Sequence, residues 1–249
     1  MKNILVIGAS SGYGKATAEL LHSTGKYFIY SSSRSVKEKQ NSKFVEIYCD
    51  LTNPESIINL FDEIKKTNTI IDAVVYASGI AIGKDTIEEG NAQNWNQVMQ
   101  VNCMSLLSVI QLSISHLRKS RGTFVYIGSL AAYLNYYGGA DYCASKAAAT
   151  TIMKTLRFEL LGAGIKTCLV QPGLGDTSFQ LNRYNGDQEK ASRHYSGIKQ
   201  LEPIDVARSI QFVLEQPSHV CIDEIIIKPI EQATHGVLAN YESDTPRLF

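Results

Sequence analysis

The 249-residue sequence has few residues that would form disulfides or bind a metal ion. Its five cysteines are odd in number and scattered, without a Cys-x-x-Cys pair, which favours reduced thiols in a cytosolic protein. The five histidines show no close spacing on one helix face, so we expect no zinc site and no other metal centre. No apolar run approaches the roughly 20 residues that span a bilayer, and the N-terminus resembles a short strand rather than a signal sequence. We therefore expect a cytoplasmic protein.

The chain also lacks an excess of charge of either sign. Its 24 basic and 24 acidic residues give a formal net charge of zero. Nucleic acids and anionic membranes require a basic surface, so neither is expected as the main partner. With 44% apolar and 19% charged residues, the composition is ordinary for a globular protein, and the length favours one domain over residues 1–249.

Short apolar runs alternate with helix-like stretches along the sequence. Several runs are apolar at nearly every position, as strands covered on both faces must be. The predicted strands are 3–7, 27–32, 44–48, 72–77, 122–128, 165–171 and 222–228. The predicted helices lie near 12–24, 54–66, 91–118, 140–162 and 203–215, and Pro54 and Pro203 stand at first helical positions. The pattern predicts an α/β fold: one Rossmann-type, doubly wound parallel sheet of about seven strands with helices on both faces.

Residues 174–200 interrupt this alternation, because the segment is polar and weakly periodic. Two interpretations are open, a solvated surface loop or a mobile lid over a site. The lid interpretation is favoured because the insertion follows the carboxyl end of a predicted strand, and it makes 174–200 the candidate substrate loop. The tail 231–249 also lacks strong periodicity and is either an arm or a frayed end.

The turn after the first strand is rich in glycine. It contains Gly8, Ser10, Ser11, Gly12, Tyr13 and Gly14, and a good helix follows at once. A turn without Cβ atoms lets the backbone approach a pyrophosphate, and the helix N-terminus adds N–H donors. The alternative is a tight turn that only packs the helix on the strand. The glycine turn lies in the first strand–helix unit, and this position favours a dinucleotide site.

The end of the second strand bears on which dinucleotide binds. Ser33 and Arg34 stand where NAD sites usually have an acidic residue for the ribose diol. Arginine offers forked donation to a 2′-phosphate, with Lys37 as a possible helper, so NADP(H) is expected over NAD(H). The alternative for Arg34 is an ordinary surface arginine. After the third strand, Asp50, followed by Leu51, would either accept from the adenine amino group or cap the next helix.

The candidate catalytic residues are Ser129, at the end of the fifth predicted strand, and Tyr142 and Lys146 on the following helix. Ser129 precedes Tyr142 by thirteen residues, and the spacing of four places Tyr142 and Lys146 on one helix face. A second Tyr-x-x-x-Lys pair, Tyr195 with Lys199, follows no predicted strand and occurs by chance.

These three side chains suit proton transfer at a carbonyl oxygen. A free tyrosine has a pKa of about 10, so we expect the Lys146 ammonium and a positively charged nicotinamide to lower that of Tyr142. Tyr142 would donate or accept the proton, and Ser129 would hold the oxygen by a hydrogen bond. Lys146 would also bind the nicotinamide ribose, while hydride transfer belongs to the cofactor.

Together these motifs resemble the short-chain dehydrogenase/reductase family over nearly the whole chain. The resemblance implies that Asn102 is a fourth active-site member, whose backbone helps to position a water near Lys146. It also implies that Pro172, Gly173 and Thr177 meet the nicotinamide carboxamide. Ala77, Ser78 and Gly79 stand in a run that lines the adenosine and is Asn-Asn-Ala-Gly in many members. Gly128 replaces a frequent serine, and the block 222–229 resembles members that reduce small carbonyl compounds or oxidise hydroxy acids.

The leading hypothesis is an NADP(H)-dependent oxidoreductase that interconverts a small carbonyl compound and a secondary alcohol, with NAD(H) possible. The alternatives are an epimerase or dehydratase that uses the same Tyr and Lys, and a dinucleotide-sensing protein without catalysis. Tyr133, Tyr136 and Tyr137 form either an aromatic wall of the substrate pocket or merely a packed loop. The family resemblance implies a homodimer or homotetramer, often through the long helices near 91–118 and 140–162.

Overall fold

The computed structural model describes residues 1–35, 43–193, 198–234, 237–239 and 247–248. In this part of the chain, seven parallel strands form one sheet in the order β3-β2-β1-β4-β5-β6-β7. The strands are β1 (Lys2–Ile7), β2 (Tyr27–Ser33), β3 (Phe44–Tyr48), β4 (Ala73–Tyr76), β5 (Thr123–Ile127), β6 (Lys166–Pro172) and β7 (Glu224–Ile227). The predicted doubly wound sheet is confirmed. Its strand order reverses between β1 and β4, where open α/β sheets bind ligands.

The helices on the two faces of the sheet follow the predicted stretches. They are α1 (Gly12–Ser23), α2 (Pro54–Lys66), α3 (Ala92–Met99), α4 (Ser105–Ser120), α5 (Ala140–Glu159), α6 (Phe179–Arg183), α7 (Gln188–Arg193) and α8 (Pro203–Leu214). Two predicted starts are confirmed by their hydrogen bonds. The Asn53 side chain accepts from the Glu55 N–H at 2.9 Å, and the Glu202 N–H donates to the Asp205 carboxylate at 2.9 Å.

The predicted helix at 91–118 is interrupted by a π-helical turn. The turn, Gln100–Met104, joins α3 to α4 and carries Asn102. No glycine or proline marks this point in the sequence, so the local pattern did not predict it.

The continuous stretch Ala92–Ser120 is long and apolar enough to cross a membrane, by length and composition alone. It has 29 residues, and its most apolar 18-residue window has a mean hydropathy of 1.4. Its apolar residues are spread along the helix rather than gathered in one run. Half of that window is buried inside the fold, and the buried side chains of α4 belong to the core against the sheet and α2.

The hydrophobic core lies in two layers, one on each face of the sheet. Along β1, Leu5 and Ile7 pack towards α2, α4 and α5, whereas Ile4 and Val6 pack towards α1 and α8. Side chains alternate between faces along a strand, so a strand covered on both sides must be apolar at every position. Each fully buried aliphatic side chain contributes about 1.5–3 kcal/mol, and this double burial fixes the strand ends that carry the site.

The segment 231–249 contributes a small antiparallel sheet rather than an isolated arm. Its described strands are β8 (Gln232–Thr234), β9 (Val237–Leu238) and β10 (Arg247–Leu248). Gln232 is buried, and its side-chain oxygen accepts from the Leu174 N–H at 2.8 Å. This bond joins the segment to the loop after β6.

Candidate active site

A cleft of about 870 Å³ lies at the carboxyl ends of β1, β4, β5 and β6. It brings together most of the residues singled out in the sequence. They are Gly8, Ser10, Ser11, Gly12, Tyr13, Ser33, Arg34, Asp50, Leu51, Ala77, Ser78, Gly79, Ser129, Tyr142, Lys146, Pro172, Gly173 and Thr177. Gly14 and Asn102 do not line the cleft. Lys37 and Tyr195 lie outside the described residues.

The glycine turn is packed so closely that it requires glycine at two positions. Gly8 has a φ of +84°, and a Cβ there would lie 2.4 Å from the Ser78 hydroxyl oxygen. A Cβ on Gly14 would lie 2.2 Å from the Gly8 carbonyl oxygen. Gly14 therefore allows α1 to pack on β1, while Gly8 keeps the backbone of the turn close to β4.

The turn leaves a cradle that fits a pyrophosphate. Helix α1 begins at Gly12, and the Ser11 side chain makes no capping hydrogen bond. The N–H groups of a first helical turn have no intrahelical partner, and the helix dipole favours a negative charge there. The turn is covered from the other side of the cleft by Thr177, whose side chain would lie 3.5 Å from a Cβ on Gly12.

The end of the cleft beside β2 carries an exposed cation. Arg34 follows β2 and lines the cleft, and the Ser33 hydroxyl donates to the Ser35 carbonyl oxygen. Hydrogen bonds from Thr52, assisted by the nearby Arg34 guanidinium, lower the pKa of the Asp50 carboxyl. Of the two interpretations of Asp50, helix capping is wrong, because Asn53 is the capping residue of α2.

Tyr142, Ser129 and Lys146 converge where β5 ends. The Ser129 side chain lies close enough to the Tyr142 hydroxyl to oppose the rise in its pKa, and Lys146 donates from Nζ to the Ile127 carbonyl oxygen at 3.1 Å. Lys146 Nζ also lies 5.8 Å from the Tyr142 ring centroid. The three side chains thus share one corner of the cleft, as the spacing in the sequence predicts.

Burial shifts the pKa values of Tyr142 and Lys146 in opposite directions. Burial raises the pKa of Tyr142, and the charge of a neighbouring phenol, Tyr136, would raise it further. Burial also lowers the pKa of Lys146 to about 7, because an ammonium loses its hydration there. Lys146 is therefore only partly protonated near neutral pH, and desolvation is the largest cause of the raised pKa of Tyr142. The expected lowering of the tyrosine pKa, which depends on a positively charged nicotinamide as well as on Lys146, stays a prediction.

Asn102 does not line the cleft, but its side chain holds two of the elements that form it. Its side-chain oxygen accepts from the Ile80 N–H at 2.7 Å, and its side-chain nitrogen donates to the Ile80 carbonyl at 2.8 Å and to Ser145 Oγ at 2.9 Å. These bonds brace the loop after β4 against α5. The predicted backbone role of Asn102 near Lys146 stays a prediction.

Gln171 is a site residue that the sequence reasoning missed. It is buried at the end of β6, and its side-chain oxygen accepts from the Ser129 N–H at 2.6 Å. Its side-chain nitrogen donates to the Tyr133 hydroxyl at 3.2 Å. A polar residue within the apolar run Leu169–Pro172 is the signal that would have indicated it.

The candidate substrate loop is partly helical and packs into the cleft. It contains α6 and α7, and Phe179 of α6 stacks near Tyr142 with the ring centroids 5.3 Å apart. Arg183 of the same helix is buried, which the polar sequence of 174–200 did not predict. For the described residues of this segment, a purely solvated loop is the wrong interpretation, whereas its motion as a lid stays a prediction.

The three tyrosines between β5 and α5 have different surroundings. Tyr136 and Tyr137 line the cleft, whereas Tyr133 does not and is hydrogen-bonded to Glu224 and Gln171. Tyr136 and Tyr137 therefore stay candidates for an aromatic wall, whereas Tyr133 is 40% exposed and is held by hydrogen bonds outside the cleft.

Comparisons with known proteins agree with this geometry. A profile described as short chain dehydrogenase matches residues 2–188. Serine 3-dehydrogenase of Rhizobium radiobacter is 28% identical over 96% of this chain and 98% of its own. The NADP-dependent 3-hydroxy acid dehydrogenase of Schizosaccharomyces pombe is 28% identical over 93% of each chain. The closed form of a serine dehydrogenase complexed with NADP+ superposes with a TM-score of 0.89 at 25% identity, covering 96% of this chain and 99% of that one. The chain belongs to the short-chain dehydrogenase family and is an oxidoreductase.

Proposed function

We propose that this protein is an NADP(H)-dependent dehydrogenase that interconverts a small hydroxy compound and its carbonyl form. The observation that carries the proposal is the convergence of Ser129, Tyr142 and Lys146 in the cleft that also holds the glycine turn. Relatives named as NADP-dependent and as acting on serine or 3-hydroxy acids support it. Residues 1–249 would form one catalytic unit.

The residues of the cleft fit NADP(H). The glycine turn and the N-terminus of α1 would hold the pyrophosphate, Ser33 and Arg34 the 2′-phosphate, and Asp50, Leu51 and the loop after β4 the adenosine. Pro172, Gly173 and Thr177 would contact the carboxamide, and Lys146 the ribose beside it. When bound, NADP(H) supplies hydride-transfer chemistry.

Tyr142 would move the proton. Its raised pKa keeps it a phenol near neutral pH, which is the proton-donating form required for carbonyl reduction. The Ser129 side chain lies near the same hydroxyl, so a substrate oxygen would contact both groups at once. In the oxidation direction Tyr142 must accept the carbinol proton. A positive charge close to the phenol, from Lys146 or the oxidised cofactor, would then be needed to favour the phenolate.

A coupled assay tests this proposal. The purified protein is mixed with NADPH and a panel of small ketones, aldehydes and 3-oxo acid esters, or with NADP+ and the matching alcohols and hydroxy acids, and absorbance at 340 nm is followed. Turnover of at least one pair is expected. Binding of NADPH without turnover of any pair would instead favour the dinucleotide-sensing alternative.

We also infer a cytoplasmic homo-oligomer. Phe158 and Leu161 at the end of α5 are 79% and 75% exposed, and Met104 before α4 is 48% exposed. All three lie within the stretches 91–118 and 140–162, through which the family resemblance implies contact with another subunit. Sedimentation equilibrium should give a dimer or tetramer, and a monomer at micromolar concentration would refute the inference.

A further inference from the structure

Two cationic side chains lie at the end of the cleft beside Tyr142. Arg183, in α6, is only 4% exposed, and Lys84, in the loop after β4, is half-buried. Both line the cleft. Arg183 is close enough for its charge to oppose the rise in the pKa of Tyr142. Arg183 therefore belongs to the corner where proton transfer is proposed, and Lys84 lies near enough to Arg183 for the two charges to interact.

The guanidinium of Arg183 is held in a fixed orientation. Nε donates to the Gly83 carbonyl at 2.5 Å, Nη1 to the Tyr136 hydroxyl at 2.8 Å, and Nη2 more weakly to the Gly138 carbonyl at 3.4 Å. The guanidinium also lies over the Tyr136 ring, 5.3 Å from its centroid. A guanidinium has five N–H donors, so these three bonds leave one on Nη1 and one on Nη2. A paired donor of this kind matches the two oxygens of a carboxylate.

Neither Arg183 nor Lys84 forms an ion pair within 4 Å among the residues that the structure describes, and burial together with the charge of Arg183 lowers the pKa of Lys84. Two carboxylates lie nearby without pairing with either cation. Asp141 accepts from the Tyr142 N–H at 2.6 Å, and the exposed Asp85 carboxylate lies beside Gly83. Burying a cation is costly unless an anion compensates it. An anionic ligand would supply that compensation.

We propose that Arg183, assisted by Lys84, binds the carboxylate of a hydroxy-acid substrate and so places its carbinol against Tyr142. This inference rests on the proposed dehydrogenase activity and adds the substrate class and the residues that select it. Arg183 donates to the Tyr136 hydroxyl, and Phe179 of the same helix contacts Tyr142, so a small hydroxy acid bound at Arg183 would extend towards Tyr142.

A purely structural role for Arg183 is the competing explanation, since its hydrogen bonds connect the loop at Gly83 to the loop at Gly138. The two roles differ in one measurable respect. If Arg183 only connects the two loops, its replacement lowers kcat/KM equally for an acid and its methyl ester. If Arg183 binds the carboxylate, its replacement lowers kcat/KM selectively for the acid.

The experiment compares acid and ester pairs of serine, 3-hydroxypropanoate and 3-hydroxybutanoate, oxidised with NADP+. The wild type should prefer the acids in kcat/KM. Arg183→Gln should lower the acid-to-ester ratio of kcat/KM by about 30-fold, a loss typical of a hydrogen bond to a charged group, and chiefly through KM. Arg183→Lys should restore part of the ratio. Arg208→Gln, which changes an exposed arginine of α8 outside the cleft, should keep the wild-type ratio.

A second variant and a binding measurement keep the test independent of folding and of turnover. Lys84→Met removes a cation without touching the three bonds of Arg183, and should lower the same ratio severalfold. Malonate, which has carboxylates and no hydroxyl, should bind the wild type in calorimetry and bind Arg183→Gln at least about tenfold more weakly. Equal kcat/KM for acid and ester in the wild type, or no malonate binding, overturns the inference even if the esters are oxidised. Malonate binding without turnover of any pair would contradict the dehydrogenase proposal and leave the anion site supported.

Discussion

The backbone N–H of Ser129 donates to the side-chain oxygen of Gln171 at 2.6 Å. Gln171 is fully buried, and a Cβ on Gly128 would lie 2.0 Å from the same oxygen. The glutamine thus occupies the volume that a side chain at position 128 would need. Its hydrogen bond fixes the backbone from which the Ser129 hydroxyl reaches Tyr142.

Introducing the serine that is frequent in the family at position 128 should therefore be harmful in this chain. Gly128→Ser would overpack the contact with Gln171, and we expect it to destabilise the fold by about 1–3 kcal/mol. Thermal unfolding measures the loss. The double variant Gly128→Ser/Gln171→Ala should recover much of it, because the space becomes free. Additive losses in the double-mutant cycle would contradict the proposed contact.

Arg34 should determine the preference for NADPH. Arg34→Ala removes a cation from the adenosine end of the cleft, and we expect NADPH to bind about 10- to 100-fold more weakly, as for loss of a charged hydrogen bond. NADH lacks the 2′-phosphate, so its affinity should change far less. Fluorescence titration measures both dissociation constants. Lys65→Ala, at an exposed lysine of α2 outside the cleft, serves as the control, and equal losses for both cofactors in Arg34→Ala would refute the assignment.

The buried Lys146 should make stability depend on pH in a specific window. Its pKa falls from the ordinary 10.5 to about 7 on folding. Between these values the unfolded chain binds a proton that the folded chain does not, so the free energy of unfolding rises with pH. Burial of the Lys146 ammonium lowers the free energy of unfolding by at most about 5 kcal/mol, and this full loss applies below pH 7. Above pH 10.5 the lysine is neutral in both states and the loss disappears.

Lys146→Met tests this dependence directly. The variant should gain stability relative to the wild type at pH 6, and the difference should shrink steadily towards pH 10. Urea unfolding at intervals of pH measures it, with the exposed Lys15→Met as the matched control, which should show no such trend. A difference that is independent of pH would contradict a lowered lysine pKa.

The sheet was predictable because its signal is local. Leu5 and Ile7 face one core layer and Ile4 and Val6 the other, so a run that is apolar at every position indicates a central strand without knowledge of its neighbours. The glycine turn and the Ser129, Tyr142 and Lys146 spacing are local in the same sense. Each motif lies within one or two adjacent elements, and the sheet then brings their ends together.

The groups that tune the site were not predictable in the same way. Arg183 lies in a polar segment that indicates exposure, and its burial depends on Gly83, one hundred positions earlier in the chain. Gln171, in β6, contacts Ser129, which follows the neighbouring strand β5 and stands 42 positions earlier in the chain. The raised pKa of Tyr142 likewise arises from desolvation by packed neighbours such as Phe179, whereas the sequence indicated only the nearby lysine.

The central claim is that Tyr142 transfers the proton. Tyr142→Phe removes only the hydroxyl, so NADPH should still bind with nearly unchanged affinity, and Tyr30→Phe, at a buried tyrosine bonded to Thr69 outside the cleft, controls for the loss of a buried hydroxyl. The decisive measurement is kcat of Tyr142→Phe on whichever carbonyl substrate the wild type reduces, at saturating NADPH. A fall of about 10²- to 10⁴-fold, the usual contribution of a general acid, is expected. A kcat equal to that of the wild type would contradict the mechanism.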